Sequence, residues 1–164
     1  MQKSTLETDF SYRLFGSEKS KIIDTKVSEK FATPFLLMLR AAEAAKKFLV
    51  KAKADSVTIF IGKGNNGEDG LCLAGLLKID NIKTIVIDLD HKNRLKTHAY
   101  KFCLNLEINI HKFNANNIPK ADWYVDAIFG IGLNRTVAGD HLKAVNFLQC
   151  SETKKILSLD LPTG

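Results

Sequence analysis

Three stretches of this sequence combine glycine with acids, amides or hydroxyls at spacings that chemistry could use. The first, Gly62-Lys63-Gly64-Asn65-Asn66-Gly67, fits G-x-G-x-x-G. In that pattern glycines let the backbone approach a pyrophosphate, and the following helix directs its free N–H groups at negative charge. Asp88 stands where the ribose-binding acid of a dinucleotide site is expected. Yet the loop also carries Asn65, Asn66, Glu68 and Asp69, and two carboxylates repel a phosphate unless a cation intervenes. The plainer alternative is a glycine turn with an Asp cap on a helix starting near Asp69. No Gly-Lys-Ser/Thr ends the loop, which separates it from the ATP-binding P-loop.

The second stretch, Asp126-Ala127-Ile128-Phe129-Gly130-Ile131-Gly132-Leu133-Asn134-Arg135, starts with an acid and runs through a glycine pair to a cation. It reads as a grip for phosphate or ribose, or as a turn with a solvated arginine. The third, Asp160-Leu161-Pro162-Thr163-Gly164, offers an acid and a hydroxyl, or a Pro-Thr-Gly turn. His91, His98, His111 and His141 lack metal-ligand spacing and are read as surface or helix-face residues. Trp123 is read as packing, and the cysteines as small buried hydrophobes.

Stretches so far apart act together only if the fold gathers them. Thr33 and Pro34 form a cap and first-turn signal for an amphipathic helix through Leu49. Residues 57–61 read as a buried strand ending at Gly62, residues 71–77 as a helix, and 84–87 as a strand ending at Asp88. Helix over 95–106, strands over 108–113 and 123–128, helix over 142–148 and strand over 156–159 continue the alternation. This is an α/β pattern with a mainly parallel sheet. Ligands of such sheets bind beyond the carboxyl ends of the strands, which is where all three stretches fall.

Of the 164 residues, 45% are hydrophobic and 26% charged, the composition of a folded globular domain. Residues 1–20 are polar and aperiodic and are expected to form a loosely ordered arm, with the domain over 21–164. The 24 Lys and Arg against 18 Asp and Glu leave a net charge of +6. The basic residues are scattered and accompany no nucleic-acid-binding signature, so a phosphate-bearing metabolite is the expected anionic partner, with no nucleic acid. Cys72, Cys103 and Cys150 form no CxxC pair and leave an odd one over, which points to a reducing compartment. Neither a signal-peptide h-region nor an 18-residue apolar span is present, so a cytoplasmic protein with no membrane association is expected.

Taken in order, the three stretches and the helix bearing Leu37-Met38-Leu39-Arg40-Ala41-Ala42 resemble one family, the N-terminal YjeF-type domain of the NAD(P)H-hydrate epimerases. The resemblance covers residues 22–164. It implies a Rossmann-like three-layer sandwich, a homodimer, and an isomerase that interconverts the R and S epimers of hydrated NADH and NADPH, a metabolite-repair activity. It also implies a fused or separate NAD(P)H-hydrate dehydratase partner. By the same resemblance Asn65, Asn66, Gly67, Glu68 and Asp69, the loop Gly130, Ile131, Gly132, Leu133, Asn134, Arg135 and Thr136, and Asp160 hold the substrate. Asn66, Asp126 and Thr163 would ligate a potassium ion, which would answer the repulsion noted above, and Asp160 would be the catalytic acid/base. A non-catalytic dimeric scaffold is the alternative that related domains suggest. Glu68 replaces a usual Gly, a strained exchange if that position needs a positive φ, and Thr163 replaces a usual Ser. Family members continue past the position of Gly164, so a C-terminally shortened domain of uncertain activity is expected.

Overall fold

A computed structural model describes residues 33–90, 97–133, 136–150 and 155–163. The arm expected over 1–20 lies outside them, as do Asn134, Arg135 and Gly164. The chain opens with α1 (Pro34–Lys51), where the Thr33 hydroxyl accepts the Leu36 N–H at 3.4 Å and Pro34 occupies the first turn. There follow β1 (Ser56–Ile61), α2 (Asn65–Ile79), β2 (Lys83–Asp88), α3 (His98–Asn105) and β3 (Asn109–Lys112). The chain then forms β4 (Trp123–Ala127), α4 (Gly139–Gln149) and β5 (Lys155–Ser158).

The strands form one sheet in the order β3-β2-β1-β4-β5, and every neighbouring pair is parallel. Parallel pairing requires helical crossovers, and these cover both faces. On one face Ile59, Ile61, Val86, Val125 and Ala127 pack with α1, α2 and α3 through Leu49, Leu71, Leu77 and Cys103. On the other Phe60, Ile87, Tyr124 and Ile128 meet Ala144, Val145 and Leu148 of α4. The fold is thus the expected α/β three-layer sandwich with a parallel sheet.

Helix α2 corrects the expectation of a start near Asp69. It begins at Asn65, with Gly64 at its cap in a φ of 109°, a value open to glycine and costly for other residues. Asp69 therefore lies inside the helix, past its first turn. Glu68 falls in the first turn, with its N–H on the Gly64 carbonyl at 3.2 Å and no positive φ, so the strain considered for this position does not arise. A carboxylate there also complements the helix dipole.

Register decides where the loops go. Ile61 pairs with Asp88 on one side and with Ala127 on the other, and Asp126 pairs with Ser158. The carboxyl ends of β1, β2, β4 and β5 therefore lie level. From β1 the chain steps to β2 and β3, then returns to β4 on the opposite side. That reversal opens a crevice between the loops after β1 and β4, the usual ligand position in such sheets.

Candidate functional site

The β1–α2 loop is set by space. Gly62 donates its N–H to the Ala127 carbonyl at 3.1 Å, and a Cβ on it would collide with the backbone carbonyl of Ile128. Any side chain at this position would separate β1 from β4. The tight passage delivers Asn65 exposed, Asn66 and Gly67 buried, and Glu68 and Asp69 half-buried on the first turns of α2.

Asn66 reaches across the crevice and donates from Nδ2 to the Phe129 carbonyl at 2.7 Å. That bond orients the amide, so its Oδ1 faces elsewhere, buried and with no hydrogen-bond partner among the described residues. A buried polar atom left unpaired carries a cost of roughly 1–3 kcal/mol and calls for a reason.

Asp126 and Thr163 are in direct contact and both buried. Asp126 Oδ1 accepts the Thr163 hydroxyl at 2.7 Å and the Ile128 N–H at 3.1 Å, while Oδ2 accepts the Thr163 N–H at 2.8 Å. Because the hydroxyl donates its proton to the carboxylate, its own lone pairs remain available. The Asp126 carboxylate, the Thr163 hydroxyl and the unpaired amide oxygen of Asn66 are all oxygen donors, the ligand type that hard cations prefer. Asp126 and Thr163 also line a pocket of about 130 Å³, open to solvent, between α4 and β5, with Val145, Leu148, Ile156 and Pro162 among its walls.

Asp160 is exposed and has φ 69°, the left-handed region that Asp tolerates better than most residues. Its Oδ2 accepts the Ile131 N–H at 2.8 Å, and a Cβ on Gly130 would strike that same oxygen and lie 3.5 Å from Asn66 Cβ. Asn66, Gly130 and Asp160 therefore border one point. Ile131, Gly132 and Leu133 continue as an exposed turn closed by the Leu133 N–H on the Gly130 carbonyl at 3.2 Å. Thr136 is exposed beyond it, and Asn134 and Arg135 lie outside the described residues.

Two features escaped the sequence reading. Asp88, placed there as a ribose-binding acid, is 0% exposed and accepts the Asp90 N–H at 2.9 Å. The half-buried acid at this strand end is Asp90, two residues on. Its Oδ2 accepts the Lys63 N–H at 2.8 Å and lies 2.9 Å from His141 Nε2. His141, read as an isolated surface residue, also stacks on Phe129 with centroids 5.1 Å apart. No local signal marks this pairing, because its members are 51 positions apart.

The arrangement brings the buried Asp126–Thr163 pair, the Asn66 amide on the first turn of α2 and the Asp160 carboxylate to the loops at the carboxyl ends of the strands. The sequence pattern of the family described as "YjeF-related protein N-terminus" matches residues 35–164. Over 133 residues the chain is 35% identical to an NAD(P)H-hydrate epimerase of Levilactobacillus brevis, covering 79% of this chain and 61% of that protein. It is 31% identical over 154 residues to an NAD(P)H-hydrate epimerase of Lentilactobacillus buchneri, covering 90% and 71% respectively. With the bifunctional NAD(P)H-hydrate repair enzyme Nnr of Coxiella burnetii it shares 32% over 159 residues, covering 92% of this chain but 32% of that protein. The crystal structure of yeast ynu0 superposes with a TM-score of 0.80 at 24% identity, covering 93% of this chain and 71% of the other, a likeness of fold. Motif order, fold and matched span agree, and the chain belongs to the YjeF-related N-terminal domain family.

Proposed function

We propose that this domain epimerises hydrated NADH and NADPH at the crevice between the β1–α2 and β4 loops. One observation carries the reading: Asp160 is held by the Ile131 N–H beside Gly130 and Asn66, so a carboxylate meets the bordering loops at the point where a ligand of such a sheet would lie. The names of the relatives supply the substrate class.

The R and S hydrates differ at C6, which carries a hydroxyl next to the ring nitrogen. When Asp160 gives a proton to that hydroxyl, water leaves and the nitrogen lone pair forms an iminium. Water then adds to the opposite face of C6 and returns the proton to Asp160. General acid–base help of this kind is worth about 10²–10⁴-fold. Asn65, Asn66, Gly67, Glu68, Asp69 and the segment from Gly130 to Thr136 would line the bound dinucleotide, with the start of α2 toward its phosphates. Asn66 Oδ1, Asp126 and the Thr163 hydroxyl would hold a potassium ion, whose charge would offset Glu68 and Asp69 beside an anionic substrate.

A homodimer and a dehydratase partner belong to the same proposal, the latter supported by the bifunctional names of relatives such as that of Coxiella burnetii. Cytoplasmic location is supported by three free cysteines, Cys150 exposed among them. No helix among the described residues is long and apolar enough to cross a membrane.

The test is epimerisation of purified S- and R-NADH-hydrate, followed by chromatography, with potassium present or replaced by a non-coordinating cation. Potassium-dependent acceleration, reduced about 10²-fold or more in Asp160→Asn, supports the proposal. A well-folded protein that fails to accelerate the exchange leaves the non-catalytic scaffold, and full activity in Asp160→Asn removes that residue from its role.

A further inference from the structure

In the turn that holds Asp160, Phe129 packs against the core beside α4, whereas the residues after it are open to solvent. Ile131 and Leu133 are 42% and 40% exposed, yet the backbone of this turn makes two of the contacts that define the site. The Phe129 carbonyl holds Asn66 and the Ile131 N–H holds Asp160. The Phe129 ring is the one side chain of the turn with a defined aromatic partner, the imidazole of His141, nearly parallel at 25°. On its other side that imidazole is fixed by Asp90, whose Oδ2 also takes the Lys63 N–H of the β1–α2 loop. The His141 and Asp90 side chains are 17% and 25% exposed, so solvent screens their contact only in part. One imidazole thus connects the first turn of α4, the end of β2, the β1–α2 loop and the turn after β4.

We infer that His141 is a positioning residue, whose ring stacked on Phe129 fixes the 129–132 turn and through it the placement of Asn66 and Asp160. The inference rests on the proposed function for its catalytic consequence but not for its structural one. Its contact with the turn is the stack, and the bond to Asp90 orients the ring from behind. A ring without Nε2 should therefore hold the turn better than an Nε2-like donor without a ring.

The test uses the amide resonance of Ile131, expected downfield because of its bond to a carboxylate and assigned by its upfield move in Asp160→Ala. In His141→Ala and His141→Gln this resonance should move toward the position of an unbonded amide, while those of Ile59 and Val125 in the core stay in place. In His141→Phe it should remain near its original position. With hydrated NADH as substrate, His141→Ala should lower kcat by about tenfold because the reacting carboxylate is displaced, and KM should rise as well because Asn66 and the turn also line the bound dinucleotide. Substantial recovery of kcat in His141→Phe should accompany the recovered resonance. An unmoved Ile131 resonance in His141→Ala, or rescue by Gln and not by Phe, overturns the inference. The resonance needs no substrate, so a wild-type protein that fails to epimerise would defeat the functional proposal while this measurement still decides the role of His141.

Discussion

The two sides of the crevice are built by different means. On the β1–α2 side the backbone is wedged: Gly62 passes against the Ile128 carbonyl, and the first turns of α2 descend into a core that buries Leu71, Cys72, Leu73 and Ala74 completely. On the β4–β5 side the chain is tied by polar contacts, Thr163 to Asp126 and Asp160 to Ile131, around exposed residues. Close packing tolerates no change of volume, whereas hydrogen bonds can be removed one at a time. The difference teaches where rigidity and adaptability are placed: the side expected to meet the phosphates is fixed, and the side bearing the carboxylate proposed to react is adjustable.

Substitutions should separate the two. Gly62→Ala should be the most damaging, because the new methyl meets backbone that cannot move without parting β1 from β4. A loss of about 3 kcal/mol or more in urea unfolding is expected. On the tied side, Thr163→Val keeps the shape and the backbone N–H but removes the hydroxyl from the buried Asp126, a loss of about 2 kcal/mol. Thr163→Ser, which keeps the hydroxyl, should cost well under half of that in the same unfolding experiment. A Ser variant as damaging as Val would mean that methyl packing, not the polar tie, holds this end of the chain.

Fold and site were legible to different depths. The strands β1, β2 and β4 announce themselves because buried parallel strands are continuous runs of branched and aromatic residues. The oxygen-bearing residues of the three loops could be picked out because each follows a strand. The start of α2 was misplaced by four residues because its signal is a backbone angle at Gly64, not a capping side chain. Asp88 and Asp90 could not be told apart either, since period-2 alternation at a strand end does not show which of two acids turns inward. His141 was invisible as a partner because its neighbours come from other loops.

Smaller effects sharpen the comparison at the margins. At the base of β4, the hydrogen bond from the exposed Lys155 ammonium, 2.9 Å away, holds the Asp122 carboxyl below its ordinary range. A lowered folded value means that the contribution of this pair to stability is present above the unfolded pKa, near 3.9, and is lost as the pH falls through the lower folded value. In Lys155→Met the Asp122 carboxyl should titrate closer to its ordinary value by NMR, and the stability gap between variant and wild type should close in acid. The thiols give the mildest probe. Burial pushes Cys72 and Cys103 up to about 12, whereas Cys150 is exposed. One equivalent of a disulfide reagent should react quickly with the native protein and the other two only on unfolding, with Cys150→Ser leaving the unfolding curve unchanged.

The passage of Gly62 beneath the Ile128 carbonyl bears on how such sites are recognised at all. In a saturation library, position 62 should reject every alternative as firmly as a reacting residue would, although its own lack of a side chain leaves it nothing to offer a ligand but backbone. Intolerance there reports crowding. Asp160, in the open and at a backbone angle other residues can reach at modest expense, should instead yield folded, well-expressed variants whose defect appears only when turnover is measured.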